Sequence, residues 1–294
     1  MLFRSCRQSG LSVVYTELLD FDGDEIYMAP APADLVGRTF GDSLLAFEDS
    51  TIIGILVAGD TPHLNPPMAT VIAADDQLIA ISRDDDTVRP GSRSAATVRD
   101  DLIASPVEHQ PKPERTLILG WNWRGPAIVR ELDAYVAGGS EIVILSDQAD
   151  TEASLATVRA GLRNEIVEVR RGDTTDRALL DALDPRSFNH LIILCYSDVL
   201  ELQQADSRTL ITLLHLRDIA SMTGHDFSIV SEMLDLRNRA LAEVTRADDF
   251  IVSDRMTSLL LSQVAENRHL KAGLTICLTR RAPRSTSVRP ASTW

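Results

Sequence analysis

The stretch TLILGWNWRG, residues Thr116–Gly125, decides the fold of the larger part of the chain. It begins with a largely apolar run of the kind that forms a buried strand, and a helix is predicted directly after it, at Pro126–Val136. A strand that leads into a glycine-bearing turn and then a helix is the opening unit of the dinucleotide-binding fold. The stretch therefore predicts a Rossmann-type sheet.

Strands and helices alternate from this stretch as far as residue 270. Short apolar segments separated by helices form parallel sheets, because each parallel connection needs a long crossover. We therefore predict an α/β fold with a doubly wound parallel sheet over residues 114–270. The predicted strands are Thr116–Leu119, Glu141–Ser146, Ile166–Arg170, His190–Cys195, Phe227–Ser231 and Asp249–Val252. The predicted helices after Pro126–Val136 are Glu152–Ala160, Asp176–Leu183, Leu200–Met222, Leu236–Thr245 and Arg255–Glu266.

Residues 1–83 show short strands between turn signals and predict a small α+β domain. A short helix is predicted at Thr39–Ala46, because Phe40, Leu44 and Phe47 recur at helical spacing. The strands expected in this domain are Leu11–Tyr15, Glu25–Ala29 and Thr51–Val57, with a hairpin formed by Val71–Ala74 and Gln77–Ser82.

The two domains are joined by a predicted linker at 84–113, which is rich in acids, small polar residues and proline and cannot bury enough surface to order itself. From Lys271 onward Ser, Thr, Arg and Pro dominate, so residues 271–294 are predicted to be a disordered or out-of-frame tail. Both ends are expected to be cuts through a longer protein.

Charge and composition exclude several functional classes. The chain has 43 Asp plus Glu against 29 Lys plus Arg, a net charge of −14, which repels phosphate backbones and predicts no nucleic-acid partner. No apolar run approaches the roughly 18 residues that a membrane span needs. Cys6, Cys195 and Cys277 lie far apart without metal-ligand spacing, which predicts reduced thiols in the cytoplasm and no metal site.

The candidate cofactor site is the turn after the first strand of the predicted parallel sheet. It matches G-x-G-x-x-G at the first and third glycines, but Asn122 stands at the second, where glycine lets the backbone approach a pyrophosphate. Asp147 lies 22 residues after Gly125, where an acid accepts hydrogen bonds from a ribose. The turn contributes six candidate residues: Gly120, Trp121, Asn122, Trp123, Arg124 and Gly125.

Two interpretations of this turn stay open. One is the binding of NAD or another nucleotide, and the other is a tight turn packed under two indoles. The side chain of Asn122 favours the second, so the cofactor is left unassigned.

Two further segments are predicted to reach the same crevice. Gly172 and Asp173 follow the third strand, where Thr174 or Thr175 is expected to cap the next helix and a ligand role is the alternative. Cys195 ends the fourth strand and is placed to line a ligand. No histidine lies near it in sequence, so a reactive thiol is not indicated.

No arrangement of residues predicts catalysis. Gly41-Asp42-Ser43-Leu44 copies the nucleophile motif of the Gly-Asp-Ser-Leu hydrolases, and Asp60 and His63 supply an Asp-x-x-His pair. In those enzymes the two motifs lie far apart in a large α/β domain, whereas here they fall within 25 residues of each other. Ser43 is instead expected in the first turn of a helix, and we predict that the chain is not an enzyme.

The two domains together resemble the regulator-of-conductance (RCK) modules of potassium channels and transporters. Leu35–Thr39, Pro66-Pro67 and Asp75–Ile79 are similar to the C-terminal subdomain of such a module. Residues 114–267, with the Gly172-Asp173 step, resemble its N-terminal Rossmann subdomain.

The Castor/Pollux type of ion channel is the closer resemblance. That family also departs from the glycine fingerprint with Gly-Trp, here Gly120-Trp121. The likeness continues at Leu132-Asp133, Gly139-Ser140-Glu141, Ser231-Glu232-Met233 and Ile251-Val252-Ser253-Asp254.

The resemblance implies a cytoplasmic gating-ring module of a cation or potassium channel or transporter, associated with the membrane through a pore. A nucleotide or an ion is the implied ligand. The crossover helix at 255–266 is expected to form a homo-oligomer, and the pore is expected in the same longer gene or in a separate subunit. An NAD-dependent oxidoreductase and a non-functional fragment of a longer channel gene are the alternatives.

Overall fold

The computed structural model of the chain describes residues 11–20, 23–58, 62–91, 112–225, 228–235, 237–238 and 249–266. The chain divides into two compact units. The large unit comprises Met1–Val14 and Glu108–Thr257, and the small unit comprises Tyr15–Val107 and Ser258–Trp294. Strands and helices are numbered below in chain order.

The small unit contains an antiparallel sheet of four strands: β1 (Glu25–Pro30), β2 (Ser50–Leu56), β3 (Pro62–Leu64) and β4 (Gln77–Ser82). Their order is β1-β4-β2-β3. The predicted hairpin is wrong, because β4 pairs with β1 and β2, while Val71 makes only an isolated bridge to Thr39. Strand β3 was missed by the sequence patterns, since three residues are too short to show a period.

Two helices lie in the first part of the chain. Helix α1 (Leu11–Glu17) corrects the strand predicted at Leu11–Tyr15, because a short apolar run does not distinguish strand from helix. Helix α2 (Phe40–Ser43) is shorter than predicted. Thr39 caps it, with its Oγ1 accepting a hydrogen bond from the N–H of Asp42 at 3.2 Å.

The core of the small unit extends beyond residue 83. It is built from apolar side chains of all the longer strands together with Phe40 and Ile72. Val88, which lies in the predicted linker, is 8% exposed and belongs to this core. A 3₁₀ turn at Asp85–Thr87 precedes it, and Pro90 bridges to Phe47.

The large unit contains a parallel sheet of six strands, as predicted. They are β5 (Arg115–Leu119), β6 (Ser140–Ser146), β7 (Glu165–Arg171), β8 (His190–Ile193), β9 (Ile229–Met233) and β10 (Asp249–Val252). Their order is β10-β9-β8-β5-β6-β7, so the direction of progress along the sheet reverses between β5 and β8. In such sheets ligands bind at the carboxyl ends of the strands at this reversal.

The helices of the large unit are α3 (Gly125–Asp133), α4 (Thr151–Arg159), α5 (Arg177–Leu183) and α6 (Leu202–Thr223), and α7 (Ser253–Glu266) begins there. The boundary between the two units falls inside α7. The helix predicted at Leu236–Thr245 lies almost entirely outside the described residues.

Both faces of the parallel sheet are buried, which explains why its strands are apolar without alternation. On one face Leu117, Leu145 and Ile193 pack against Leu180 of α5 and Leu213 of α6. On the other, Ile118, Ile142 and Ile192 are also fully buried. Strand β9 ends two residues later than predicted, and it includes Glu232, a charged residue that does not fit an apolar pattern.

Among the described residues, no helix has both the length and the apolar character to cross a membrane. Helix α6 is long enough, with 22 residues, but it carries Asp206, Arg208, Arg217 and Asp218.

Candidate functional site

The turn between β5 and α3 lies at the reversal point of the sheet. It begins at Gly120, whose φ of +85° is a backbone conformation that residues other than glycine rarely adopt. A Cβ at this position would also overlap the carbonyl oxygen of Leu194 at the end of β8. The first glycine of the fingerprint is therefore required by both backbone conformation and close packing.

Asn122, at the position of the second glycine, is 1% exposed. Its side-chain Nδ2 donates one hydrogen bond to the carbonyl oxygen of Cys195 at 2.8 Å and another to Oε2 of Glu232 at 2.7 Å. The side chain thus connects the turn to the ends of two neighbouring strands, and it fills the space that a glycine would leave open.

Glu232 is fully buried, at 0% exposure, and lies at the centre of a group of polar side chains at this edge of the sheet. Nη1 of Arg124 lies 3.1 Å from its Oε1. The N–H and the thiol of Cys195 both lie 3.3 Å from its Oε2. The buried group thus consists of Asn122, Arg124, Cys195 and Glu232. The Arg124 contact is an ion pair without hydrogen-bond geometry, whereas Asn122 donates a charge-assisted hydrogen bond to the buried carboxylate.

The thiol of Cys195 is not placed for nucleophilic chemistry. Burial, and then the neighbouring Glu232 carboxylate, raise the pKa of the Cys195 thiol well above its usual range. A thiol that keeps its proton is a weak donor rather than a nucleophile. Cys195 is fully buried just after the end of β8, and its predicted role in lining a ligand stays a prediction.

The N–H groups at the start of α3 are all bonded within the chain. The N–H of Trp123 donates to Oδ2 of Asp198 at 2.6 Å, and that of Arg124 donates to Oδ1 of Asn122 at 3.0 Å. Gly125 donates to the carbonyl of Asn122, and Ala127 and Ile128 both donate to the carbonyl of Arg124. The residue between them is Pro126, which has no N–H.

The two tryptophans of the turn have opposite surroundings, which corrects the expectation of two packed indoles. Trp121 is 2% exposed and donates from Nε1 to Oγ of Ser154 at 3.0 Å. Its ring lies so close to Gly125 that a Cβ there would come within 2.6 Å of it. The third glycine of the fingerprint, Gly125, therefore makes room for the indole of Trp121. Trp123, in contrast, is 68% exposed.

Asp147 and Asp173 are brought together by a residue that the sequence analysis missed. Nη2 of Arg208, on α6, lies 2.9 Å from Oδ2 of Asp147 and 2.7 Å from Oδ1 of Asp173. Its guanidinium carbon lies 4.1 Å from the centre of the Tyr196 ring. Burial opposes ionisation of Asp173, but hydrogen bonds from Thr175 and Arg208 outweigh it and lower its pKa.

Gly172 and the residues after it have a structural explanation. A Cβ on Gly172 would lie 2.6 Å from Cδ1 of Leu179, so glycine lets α5 pack closely on the sheet. The expected cap at Thr174 or Thr175 is wrong. Asp176 caps α5, with its Oδ1 accepting from the N–H of Ala178 at 2.9 Å.

Ser43 occupies the helical position predicted for it and is committed to structure. It is fully buried, and its hydroxyl donates to the carbonyl of Phe40 at 2.7 Å. His63 lies on β3 with an exposed side chain. Elsewhere in the described residues, Asp84, Asp85 and Asp86 place carboxylates within 4.8 Å of one another, all exposed.

The signals for Glu232 and Arg208 differ in kind. Glu232 is the charged residue in an otherwise uncharged strand, and that irregularity is visible in the sequence. Arg208 is one of several charged residues on a long helix, so nothing in the sequence distinguishes it. Its role depends on α6 lying across the ends of β6 and β7.

The comparisons with known proteins agree with this architecture. Residues 1–98 match a family model described as Castor and Pollux, part of voltage-gated ion channel. The ion channel CASTOR of Lotus japonicus is 31% identical over 305 residues, an alignment that covers 92% of this chain and 35% of the channel. The resemblance to the Castor/Pollux channels is confirmed.

A second relative gives the same result. The probable ion channel POLLUX of Arabidopsis thaliana is 29% identical over 306 residues, covering 92% of this chain and 37% of that protein. The chain thus spans about a third of the length of these Castor/Pollux relatives.

Among solved structures, the human SLO3 gating ring matches with a TM-score of 0.65 and 14% sequence identity. The match covers 92% of this chain and 58% of that one. At this identity the likeness concerns the fold, and it confirms the predicted Rossmann-type architecture.

Proposed function

We propose that the chain is a regulatory module of a Castor/Pollux-type cation channel, part of a cytoplasmic ring that controls a membrane pore. The observation that carries this proposal is the extent of the similarity. Both the channel relatives and the gating-ring fold align with 92% of the chain, across the small unit and the large unit together. A module of this kind acts by conformational change rather than by catalysis.

Helix α7 is the element that we assign to assembly. One side of it is used within the chain: Met256 is buried, and Nε2 of Gln263 donates to Oε2 of Glu25 in the small unit at 2.9 Å. Leu261 is 67% exposed on the same helix. We assign this exposed side to a homo-oligomeric contact, because symmetric oligomers use one surface repeatedly.

Gating follows from differential affinity. A ligand or ion that binds one ring geometry more tightly than another shifts the population toward it, and the difference in binding free energy is what acts on the pore. The pore is supplied by the same longer protein or by a separate subunit.

A chimeric channel tests the proposal. The chain replaces the segment that it matches in the Lotus japonicus channel, and single-channel currents are recorded in bilayers. The chimera is expected to conduct, and Leu261→Asp is expected to change its open probability about fivefold or more, the usual scale of an allosteric coupling. Leu261 is chosen because its exposure lets the charge be introduced without disturbing the fold.

The matched control is Met222→Asp, which places the same charge at an exposed apolar site on α6. It is expected to leave the open probability unchanged. A chimera whose gating equals that of a channel lacking the segment would refute the regulatory role. Equal effects of the two variants would refute the assignment of assembly to α7.

A further inference from the structure

The carboxyl edge of the parallel sheet is where the dinucleotide-binding fold takes its cofactor. In this chain the groups that would meet a cofactor are bonded to one another. We propose that the crevice is closed to dinucleotides, and that Glu232, held by Asn122 and Arg124, is the residue that closes it.

The first support comes from the backbone. Phosphates bind at a helix N-terminus because its first N–H groups lack partners. Here the N–H groups of Trp123, Arg124 and Gly125 are bonded to Asp198 and to two oxygens of Asn122. A pyrophosphate would have to displace these acceptors, one of which is a carboxylate, to reach these three N–H groups.

The second support is charge. The carboxylate of Glu232 lies beneath the turn and already uses the cation, Arg124, that an anionic ligand would need. The pair leaves no net positive charge for a phosphate at this turn, and a phosphate that drew Arg124 away would leave the Glu232 carboxylate buried without its cation. Asn122 adds an obstruction, since its side chain occupies the position that glycine leaves open in the dinucleotide fingerprint.

The third support is at the ribose end. Asp147 follows β6, where the fingerprint places the acid that accepts the ribose hydroxyls. Its Oδ2 is bonded to Arg208, which also holds Asp173 and lies over Tyr196. A ribose would therefore compete with a guanidinium that has three partners.

In this crevice an internal anion takes the place that a cofactor phosphate would have. Glu232 gives the turn the negative partner that a phosphate provides in other proteins of this fold, and the crevice is fixed without a ligand. This inference does not depend on the regulatory role. A gating module can respond to a ligand bound elsewhere, and binding is measured on the chain itself.

Titration of the full chain with NADH, followed by nucleotide fluorescence and by calorimetry, tests the proposal. The unaltered chain is expected to show no saturation up to about 1 mM. Glu232→Gln, which keeps the shape but removes the charge, is expected to tighten binding at least tenfold, and Asn122→Gly combined with it is expected to tighten binding further.

The matched control is Glu165→Gln, which removes another buried glutamate at the opposite edge of the same sheet. It is expected to leave NADH binding as weak as in the unaltered chain. Circular dichroism checks that each variant is folded, and the single variant keeps the test decisive if the double variant does not fold.

Two results would overturn the inference. One is saturable NADH binding by the unaltered chain with a Kd below about 1 mM. The other is a folded Glu232→Gln variant that binds NADH no more tightly than the unaltered chain and the control.

Discussion

Two buried glutamates at opposite edges of one sheet are stabilised in different ways. Glu232 lies at the carboxyl edge, 0% exposed, with the guanidinium of Arg124 beside it. Glu165 begins β7 at the amino edge and is 7% exposed. Its Oε1 receives no hydrogen bond from the described residues, and its neighbour is another carboxylate, Asp133.

At the amino edge the backbone N–H groups donate their hydrogen bonds to the carboxylate of Asp133 and not to that of Glu165. Oδ1 of Asp133 accepts from the N–H groups of Asn164 and Glu165 at 2.7 and 3.1 Å, and the N–H of Arg163 also points at this carboxylate. Burial, and then the negative charge of Asp133, raise the pKa of Glu165 to about 8. A proton thus does for Glu165 what an arginine does for Glu232.

The largest effect is expected from Gly120→Ala at the carboxyl edge. Gly120 and Gly139 have almost the same φ, +85° and +89°, but a Cβ on Gly139 would meet only Pro113 Cγ at 3.8 Å. Gly139→Ala should therefore cost about 1 kcal/mol of unfolding free energy from backbone strain alone. Gly120→Ala adds the overlap with Leu194 and should cost about 4 kcal/mol, as measured by urea denaturation. Equal losses would show that the left-handed backbone alone decides both positions.

A smaller effect is expected from Arg124→Ala, which leaves the Glu232 carboxylate buried without its cation. Breaking a buried pair in this way costs about 3 kcal/mol of unfolding free energy, as measured by urea denaturation. The control is Arg170→Ala, which breaks a solvent-exposed pair with Glu168 and should cost less than about 1 kcal/mol.

The double variant Arg124→Ala with Glu232→Gln should recover part of the lost stability, because no charge then remains unpaired. A loss below about 1 kcal/mol for Arg124→Ala alone would show that Glu232 is held chiefly by its other partners.

The smallest effect concerns the pH dependence that Glu165 imposes. Below its ordinary pKa of 4.5 the carboxyl is protonated in both the folded and the unfolded chain. Between 4.5 and about 8 the unfolded chain releases this proton while the folded chain keeps it, so stability falls as pH rises. Glu165→Gln should remove this fall and be about 2 kcal/mol more stable than the unaltered chain near pH 8.

Thermal denaturation over this pH range measures the difference. Glu168→Gln, an exposed site on the same strand, is the control and should follow the curve of the unaltered chain much more closely. Parallel curves for the unaltered chain and Glu165→Gln would mean that Glu165 is ionised in the folded state.

The sequence patterns predicted the parallel sheet better than the small unit, for a physical reason. Each strand of the large unit is followed by its own helix, so the pattern is local and repeats. In the small unit β4 pairs with β1 and β2, which lie far from it in the chain, and local turn residues wrongly predicted a hairpin at Val71–Ala74. Helix α1 shows the same weakness, since an apolar run of a few residues fits either element.

The sequence predicted which segments come together at the candidate site, but not which residues bind to one another there. Gly120, Asn122, Asp147, Asp173 and Cys195 all come to the carboxyl edge, because the ends of parallel strands lie together. Their predicted role in cofactor binding stays a prediction. The patterns did not predict the polar partners of these residues, which are Glu232 and Arg208.

The sequence by itself determined where the crevice lies, because periodicity and one glycine-bearing turn are local properties of the chain. Only the tertiary structure decided what fills it. Asn122 and Glu232 are 110 residues apart, and Arg208 is 61 residues from Asp147. Whether a buried charge meets an arginine, a second carboxylate or a ligand depends on which distant segments the fold brings within hydrogen-bonding distance, and no local pattern carries that information.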